Sequence, residues 1–289
     1  MKVLLTGTSG QIRLALTVLV PDGIALLTST REELDMTITL SVRGPLERKK
    51  PALVFSCAAC TAVDAAGTDI EAAFAGNATA AAALAEGQRS HAGRMIRVSM
   101  DFVFDGLSGR PYSSSDAPRP LGVYGRSKLA GEHAVLGQVG SCAAVVRFAW
   151  GCGAQGRSFV RSMLDVMDRH GKVREVADQV GTPTRATSLA GPQWALAELE
   201  QVGGVHHWTE AGVASWRNFM VAIAVGGCAA GLLQSPPEGT PIGTEEYSTA
   251  GRRPLYSILD RRATEQAFGI SVAHWRVNRR RMLDELDYA

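Results

Sequence analysis

Short apolar segments alternate along the first half of the chain with longer segments whose apolar residues recur at helical spacing. The apolar segments are 1–6, 23–27, 53–56, 94–99 and 143–148. The segments 12–20, 70–84 and 124–136 between them have the spacing of helices that pack one face on a sheet. This regular alternation predicts an α/β protein with a parallel, doubly wound sheet. A ligand is then expected across the carboxyl ends of the strands.

The alternation loosens after Trp150, and the second half of the chain is predicted to be partly helical. Helices are expected over 158–167, near 187, from 215 and over 275–286, and short strands over 173–176 and 204–208. The segments 178–184 and 235–243 contain Pro and Gly and are expected to be loops. We therefore expect a sheet domain over residues 1–150, to which some later segments return. A smaller region over 151–289 is expected to close over a substrate.

The first apolar segment ends in a glycine turn, Gly7-Thr-Ser-Gly10-Gln-Ile, and a helical pattern follows it. In such a unit the glycines let backbone N–H groups approach a pyrophosphate at the start of the helix. This arrangement predicts a Rossmann-type dinucleotide site at the end of the first strand. The residues expected to contact the cofactor there are Gly7, Ser9, Gly10, Gln11 and Ile12.

In folds that prefer NADH, a carboxylate at the tip of the second strand accepts a hydrogen bond from the adenine ribose. The tip of the second predicted strand carries Arg31 instead. A guanidinium at this position favours NADPH. NADH stays open, because Arg31 could instead be a surface charge paired with Glu32 or Glu33. Asp35 could approach the adenine end of the cofactor or cap the segment that follows it.

Small residues follow the third predicted strand, where a cofactor would lie against the backbone. They are Cys57, Ala58 and Ala59. Cys57 and Cys60 also have the C-x-x-C spacing of redox sites, but the chain has no second such pair for zinc. The five cysteines are scattered along the chain, so we expect free thiols in small-residue packing and no metal site. Redox or metal chemistry is the alternative.

A polar loop rich in Gly, Pro and Ser precedes a predicted helix that opens at Tyr124. Tyr124 and Lys128 are four residues apart, so their side chains would lie on one face of this helix. A neighbouring ammonium favours a phenolate, which brings a tyrosine closer to an acid or base that works near neutral pH. Tyr-x-x-x-Lys also occurs often by chance on solvated helices, so this interpretation depends on the glycine turn.

Composition excludes classes of partner. The chain has 289 residues, 46% of them hydrophobic, and a formal net charge of +2. The chain has no long basic cluster, only short runs such as Arg279–Arg281. Nucleic acid is therefore not expected as a partner. No apolar run reaches the length of a membrane span and no signal segment is recognised. We therefore expect a cytoplasmic protein without a membrane partner.

Several strings of the chain, taken in order, are similar to the motifs of one family. They are Gly7-x-x-Gly10-Gln, Ala58-Ala59-x-Thr61-Ala-Val63-Asp64, Asn77-Ala, Val98-Ser-x-Asp101-Phe-Val-Phe-Asp105-Gly106, Tyr124-Gly-Arg-Ser-Lys128-Leu-Ala-Gly-Glu132, Arg147-x-x-Trp150, Asp178-Gln-x-Gly-x-Pro-Thr184 and Arg252-Arg-Pro. Over nearly its whole length the chain resembles the extended short-chain dehydrogenase/reductases and, within them, the dTDP-4-dehydrorhamnose reductases.

The resemblance implies an oxidoreductase of deoxysugar biosynthesis that reduces the C4 ketone of a dTDP-4-keto-6-deoxy sugar with NADPH or NADH. It implies that Tyr124 is the general acid and that Lys128 holds the nicotinamide ribose and lowers the pKa of the tyrosine. The other implied contacts are Asn77 and Ser99 to the cofactor, and Val63, Met100, Asp101, Trp150, Pro183 and Arg253 to the substrate. Arg253 could equally form a structural ion pair. The choice of sugar, the stereochemistry at C4 and a homodimer stay open.

The chain departs from the family pattern close to the expected chemistry. Arg13 replaces the third glycine of the turn, and its long side chain could point outward or bind a phosphate. Met100 replaces a threonine whose hydroxyl would hydrogen-bond the substrate oxygen, and a thioether cannot donate that bond. The sequence is therefore compatible with two functions. The intact Tyr124 and Lys128 favour an active 4-ketoreductase, and the replacements favour a binding subunit of the same fold that has lost catalysis.

Overall fold

The computed structural model describes residues 1–7, 10–27, 34, 39–156, 158–199 and 203–287. Three residues expected to contact the cofactor, Ser9, Arg31 and Asp35, lie outside these ranges. Within them, no helix has the length and apolar composition that crossing a bilayer requires.

The first half of the chain forms the strands that its apolar pattern predicts, separated by helices. The elements are β1 (Lys2–Leu5), α1 (Gln11–Val18), β2 (Ala25–Leu27), α2 (Thr39–Lys49), β3 (Leu53–Ser56), α3 (Val63–Thr68), α4 (Ile70–Phe74), α5 (Ala80–Arg89), β4 (Arg94–Met100), α6 (Val123–Val139) and β5 (Ala143–Phe148). Gly44 and Pro45 interrupt the apolar pattern of α2, so the sequence does not predict this helix.

The second half contains the predicted helices together with several short strands. The elements are β6 (Gly151–Cys152), α7 (Phe159–His170), β7 (Lys172–Val176), β8 (Val180–Gly181), β9 (Thr184–Arg185), α8 (Ala186–Glu198), β10 (Gly204–His207), β11 (Ala214–Ser215), α9 (Trp216–Ala229), β12 (Glu238–Ile242), α10 (Arg262–Phe268) and α11 (Trp275–Asp287). The predicted helices near 187, from 215 and over 275–286 are confirmed by α8, α9 and α11.

Six strands of the described ranges form one parallel sheet in the order β10-β5-β4-β3-β1-β2. The chain leaves β1 toward β2 on one side and continues through β3, β4 and β5 on the other. The strand order therefore reverses between β1 and β3, and in open parallel sheets ligands bind outside the carboxyl ends of the strands at this point. The predicted doubly wound α/β fold is confirmed. The turn after β1 and the small residues after β3 flank the expected ligand site.

Helices cover both faces of the sheet, which is why its strands read as continuous apolar runs. Val3 and Phe55 point to the face covered by α1 and α8. Leu4 and Val54 point to the opposite face, covered by α2, α5 and α6. Successive strand residues alternate between the faces, so each strand contributes to both apolar layers.

Two segments differ from the pattern-based expectation. The expected loop over 235–243 is wrong in part, because β12 pairs in parallel with β7 and sets Pro241 opposite Glu175. Proline is tolerated there because β12 is an edge strand of a two-stranded sheet of the described residues. The backbone nitrogen at this position is not needed for a hydrogen bond to the neighbouring strand. The predicted helix over 70–84 is interrupted by a π-helical turn, Ala75–Thr79, which carries the buried Asn77.

The C-terminal half has its own apolar cluster, formed mainly by α7, α9 and α11. Trp150, directly after β5, packs against this cluster and so connects it to the end of the main sheet. Strand β10 returns to the main sheet and pairs in parallel with β5.

Candidate active site

The turn after β1 is held by a glycine that has a left-handed backbone. Gly7 has a φ of +86°, and a Cβ built on it would lie 3.0 Å from the Ala58 backbone nitrogen. Gly10 is the N-cap of α1, and no side chain of the described residues caps this helix, so its N-terminus is a suitable place for an anion. Ile12 packs on the core beneath the turn, and Gln11 begins the helix. This backbone cradle fits the pyrophosphate of a dinucleotide.

Thr6 connects the ends of β1 and β3, a role that the sequence reasoning misses. Its hydroxyl donates to the Phe55 carbonyl (3.2 Å) and accepts from the backbone N–H groups of Cys57 and Ala58 (3.1 Å each). These two N–H groups are therefore used within the protein. Contact of Cys57 and Ala58 with a cofactor would be through their apolar surface. The available signal is a hydroxyl at the end of an apolar run, directly before the glycine turn.

Asn77 holds the loop after β3 against α6. Its side-chain oxygen accepts from the Cys60 backbone N–H (3.0 Å), and its amide donates to the Cys60 carbonyl (3.1 Å) and to the Ser127 hydroxyl (3.0 Å). Asn77 is fully buried, so its side chain shapes the cofactor side of the site through this loop. Cys57 and Cys60 are free thiols.

Tyr124 lies in the first turn of α6 and is 6% exposed. Its ring meets that of Phe102 edge-on, with centroids 6.2 Å apart. Burial raises the pKa of Tyr124 above its ordinary value, the charge of Asp101 adds to the rise, and the guanidinium of Arg97 opposes it. The phenol is therefore protonated at neutral pH, which is the form a proton donor requires. The sequence suggests Lys128 as the cation that lowers the pKa of Tyr124. In the structure, Arg97 is a cation that has this effect.

Lys128 lies on the same face of α6 and is 4% exposed. Its ammonium donates to the Val98 carbonyl (2.8 Å), which ties α6 to the central strand β4. Burial, followed by the charge of Arg97, lowers the pKa of Lys128 to about 7. Arg97 is fully buried in β4, and its signal in the sequence is a charged residue inside an apolar strand.

Met100 ends β4 and packs in one apolar cluster with Tyr124, Val63 and Phe102. The preceding residue, Ser99, donates its hydroxyl to Glu132 on the opposite face of the strand. The Ser99 hydroxyl is therefore used internally and cannot replace the donor that a threonine at position 100 would supply.

Asp101 follows β4 and is fully buried. Its carboxyl oxygens receive no hydrogen bond of good geometry from the described residues, although the Ser257 hydroxyl is close enough to affect the carboxyl. Burial raises the pKa of this carboxyl to about 7, and the nearby Ser257 hydroxyl acts against the rise. At neutral pH a substantial share of Asp101 is therefore a neutral acid, which can donate a hydrogen bond.

A crevice of about 200 Å³ opens beside the start of α6. Val63, Phe102 and Tyr124 line its apolar side, and the guanidinium-bearing residues Arg126 and Arg252 line it as well. Both arginines are exposed, and neither has a carboxylate partner within the ranges that the structure covers. The crevice thus combines an apolar wall, a buried phenol and two cations, which suits an uncharged ring that carries an anionic group.

Arg253 is held in a structural ion pair. Its guanidinium donates to both oxygens of Asp64 (3.0 and 2.9 Å) and to the Gly251 carbonyl (2.7 Å). Hydrogen bonding to Arg253 lowers the pKa of Asp64. This is the second of the two roles that the sequence leaves open for Arg253. The neighbouring Arg252, which the sequence reasoning does not select, is the residue that lines the crevice.

Trp150 stacks on Trp216, with ring centroids 3.7 Å apart and planes 6° from parallel. Its backbone is in the left-handed region (φ +45°), so it is held in a strained turn directly after β5. The indole of Trp216 donates to the Gln179 side chain (3.1 Å) in the loop that also contains the buried Pro183. Neither Trp150 nor Pro183 lines the crevice beside Tyr124.

Comparison with known proteins gives one consistent family. Residues 1–288 match the family model described as RmlD substrate binding domain. A dTDP-4-dehydrorhamnose reductase of Burkholderia thailandensis is 38% identical over 291 residues, which cover 96% of each chain. The crystal structure of a dTDP-4-dehydrorhamnose reductase from Clostridium acetobutylicum matches with a TM-score of 0.91 and 31% identity over 99% of both chains.

A second similar structure includes a ligand. It is a dTDP-4-dehydrorhamnose reductase from Bacillus anthracis in complex with NADP, with a TM-score of 0.91 and 27% identity over 98% of this chain and 99% of that one. The family match covers almost every residue, and the similarity extends over both halves of the fold. The chain therefore belongs to the dTDP-4-dehydrorhamnose reductase family.

Proposed function

We propose that the chain reduces the C4 ketone of a dTDP-4-keto-6-deoxy sugar with NADPH. The observation that carries this proposal is the position of Tyr124 and Lys128. They lie on one face of α6 at the carboxyl edge of a parallel sheet, both buried, and Tyr124 lines a crevice with two cations. A protein that only bound nucleotide would have no chemical need for a buried phenol and ammonium at this place.

The turn of Gly7 and Gly10 would hold the pyrophosphate of the cofactor, and Lys128 would hold its nicotinamide ribose. NADPH supplies the hydride when it is bound. The complex of the Bacillus anthracis relative with NADP supports NADPH over NADH, and Arg31 stays the sequence-based candidate for contact with the 2′-phosphate. We assign cofactor binding to residues 1–150. Residues 151–289, which contribute Arg252 to the crevice, would complete the enclosure of the substrate.

Tyr124 is the proton donor in this proposal. The raised pKa keeps its hydroxyl protonated at neutral pH, so it can protonate the C4 oxygen as that oxygen gains negative charge. The O–H bond of the tyrosine breaks, the O–H bond of the product forms, and a phenolate is left behind. The charge of Arg97 stabilises this phenolate until solvent returns the proton.

The two arginines of the crevice support a nucleotide-diphosphate substrate. Arg126 and Arg252 line the crevice beside Tyr124, and a guanidinium binds phosphate oxygens through paired hydrogen bonds. The apolar wall of Val63 and Phe102 would contact the deoxysugar. With the diphosphate held by the arginines, the sugar ring would be directed toward the phenol.

The proposal is tested by Tyr124→Phe, which removes the hydroxyl and keeps the ring. We expect kcat for NADPH oxidation with a dTDP-4-keto-6-deoxyhexose to fall by about 100-fold or more, since this variant lacks the general acid. The affinity for NADPH, measured by fluorescence titration, should stay the same. Tyr247→Phe is the matched control because Tyr247 is 50% exposed.

Wild-type turnover in Tyr124→Phe would contradict the role of the phenol. Tight NADPH binding by the wild-type protein with no turnover of any dTDP-4-keto sugar would instead support the binding-subunit alternative.

Replacement of Met100 by threonine should increase the rate. The new hydroxyl would lie in the cluster around Tyr124 and could donate to the substrate oxygen. One such donor is commonly worth about 100-fold in rate, and we expect a gain in kcat of at least about tenfold. Met100→Val, which has nearly the same shape as threonine without a hydroxyl, should show no gain. Equal rates for Thr and Val would mean that no donor is missing at this position.

Replacement of Arg252 by alanine should weaken binding of the diphosphate. We expect KM for the dTDP-sugar and the inhibition constant of dTDP each to rise by about tenfold. The rate constant kcat should change little, because the lost contact stabilises the bound substrate and the transition state equally. Lys172→Ala removes an equal charge from an exposed site on β7 and should change neither constant. An unchanged inhibition constant for dTDP in Arg252→Ala would show that the diphosphate binds elsewhere.

A further inference from the structure

Three buried cations and one buried carboxylate lie between β4, β5 and α6. Arg97, Lys128, Arg147 and Glu132 are 0%, 4%, 3% and 1% exposed. Buried charges usually occur as matched pairs, because an ion without a partner loses its hydration and receives nothing in exchange. This group has an excess of positive charge if every member is ionised.

Glu132 is used by Arg147. The guanidinium of Arg147 donates through Nε to both carboxylate oxygens (3.0 and 3.1 Å) and through Nη2 to Oε2 (2.5 Å). The Ser99 hydroxyl donates to the same carboxylate. Glu132 is therefore the acid partner of Arg147 and has little capacity left for a second cation.

Arg97 has only neutral partners among the residues that the structure describes. Its guanidinium donates to the Ser56 hydroxyl (3.1 Å) and to the Asn77 carbonyl, and its Nε has no acceptor. It packs against α6 at Gly131, where an added Cβ would lie 2.5 Å from Nη2. The absence of a side chain at Gly131 lets this cation lie against the helix that carries Lys128.

Lys128 likewise has a neutral partner, the Val98 carbonyl. Val98 directly follows Arg97 in β4, so this contact brings the ammonium beside the strand segment that carries the guanidinium. Burial has the largest effect on the pKa of Lys128, followed by the charges of Arg97 from β4, Glu132 from α6 and Cys57 after β3. An arginine stays protonated under all ordinary conditions, whereas a lysine can lose its proton. Of these two buried cations, Lys128 is therefore the one that loses its proton more easily.

The charge of Arg97 also acts on the other member of the pair. After burial, the groups that shift the pKa of Tyr124 are Asp101, Cys60 and Arg97, and of these only Arg97 favours the phenolate. The permanent charge of Arg97 thus destabilises the ammonium form of Lys128 and stabilises the phenolate form of Tyr124.

We propose that Arg97 is a positioning residue that acts through Tyr124 and Lys128, because its permanent buried charge sets the protonation state of both side chains. The proposal rests on the proposed reductase function for its meaning in catalysis. The charge arrangement itself does not depend on that function. Lys128 would then exchange its proton near neutral pH, where an ordinary lysine stays fully charged.

The direct test is an NMR titration of the lysine side chains in protein labelled with ¹³C at the ε carbon. The chain has five lysines, and the Lys128→Arg variant identifies the signal of interest. We expect Lys128 in the wild-type protein to titrate near pH 7. In Arg97→Gln and in Arg97→Met it should titrate at least about one pH unit higher, because both variants remove the repelling charge.

Glutamine keeps a polar contact with Ser56 and methionine does not, so equal shifts indicate charge and unequal shifts indicate packing. Arg94→Gln removes an arginine from the other end of β4, where it binds the carbonyls of Ala197 and Leu199. This control should leave the titration of Lys128 unchanged.

The activity readout is the alkaline limb of kcat/KM against pH, which follows loss of the Lys128 proton. It should move upward with the NMR value in Arg97→Gln and stay in place in Arg94→Gln. If the wild-type protein reduces no dTDP-sugar, the proposed function fails while the NMR titration still decides the role of Arg97.

Two results would overturn the role of Arg97. One is a wild-type Lys128 that titrates near the ordinary lysine value of about 10, which needs no variant to fold. The other is folded Arg97→Gln protein, verified by circular dichroism, in which Lys128 titrates as in the wild type.

Discussion

The site depends on a lysine ammonium that is taken out of water and bonded to a single backbone carbonyl. Burying an ammonium costs several kcal/mol unless nearby groups compensate. Lys128 meets the Val98 carbonyl at 2.8 Å, and this contact requires α6 to lie directly on β4. Because Tyr124 is one helical turn before Lys128, the same contact sets the phenol beside the crevice at the sheet edge. The helix, the strand and the candidate proton donor are thus coupled through one hydrogen bond.

The surrounding structure supports this arrangement through backbone contacts. Thr6 ties the ends of β1 and β3, on the two sides of the point where the strand order reverses. The π-helical turn after α4 brings Asn77 into contact with both the loop after β3 and α6. Gly7 permits the turn after β1 to pass within contact distance of Ala58. These contacts connect the ends of β1 and β3 with the helix that carries Tyr124 at one edge of the sheet.

Much of the fold and of the site can be predicted from the sequence, because local patterns carry the information. Apolar runs specify the strands, and the four-residue spacing of Tyr124 and Lys128 specifies their common face. Features that depend on long-range contacts are not predictable in this way. Pro241 argues against a strand unless its edge position is known, and the choice between two roles of Arg253 depends on Asp64, which is far away in sequence. Arg97 looks like an isolated charge until its burial against α6 is seen.

The central claim is that hydride reaches C4 of a dTDP-4-keto-6-deoxy sugar at this site. The most direct measurement uses NADPH deuterated at the transferable position, with the product examined by NMR. We expect one deuterium at C4 of the sugar for each NADPH oxidised. Cofactor oxidation without deuterium at C4, or saturating binding of both ligands without any product, would contradict it.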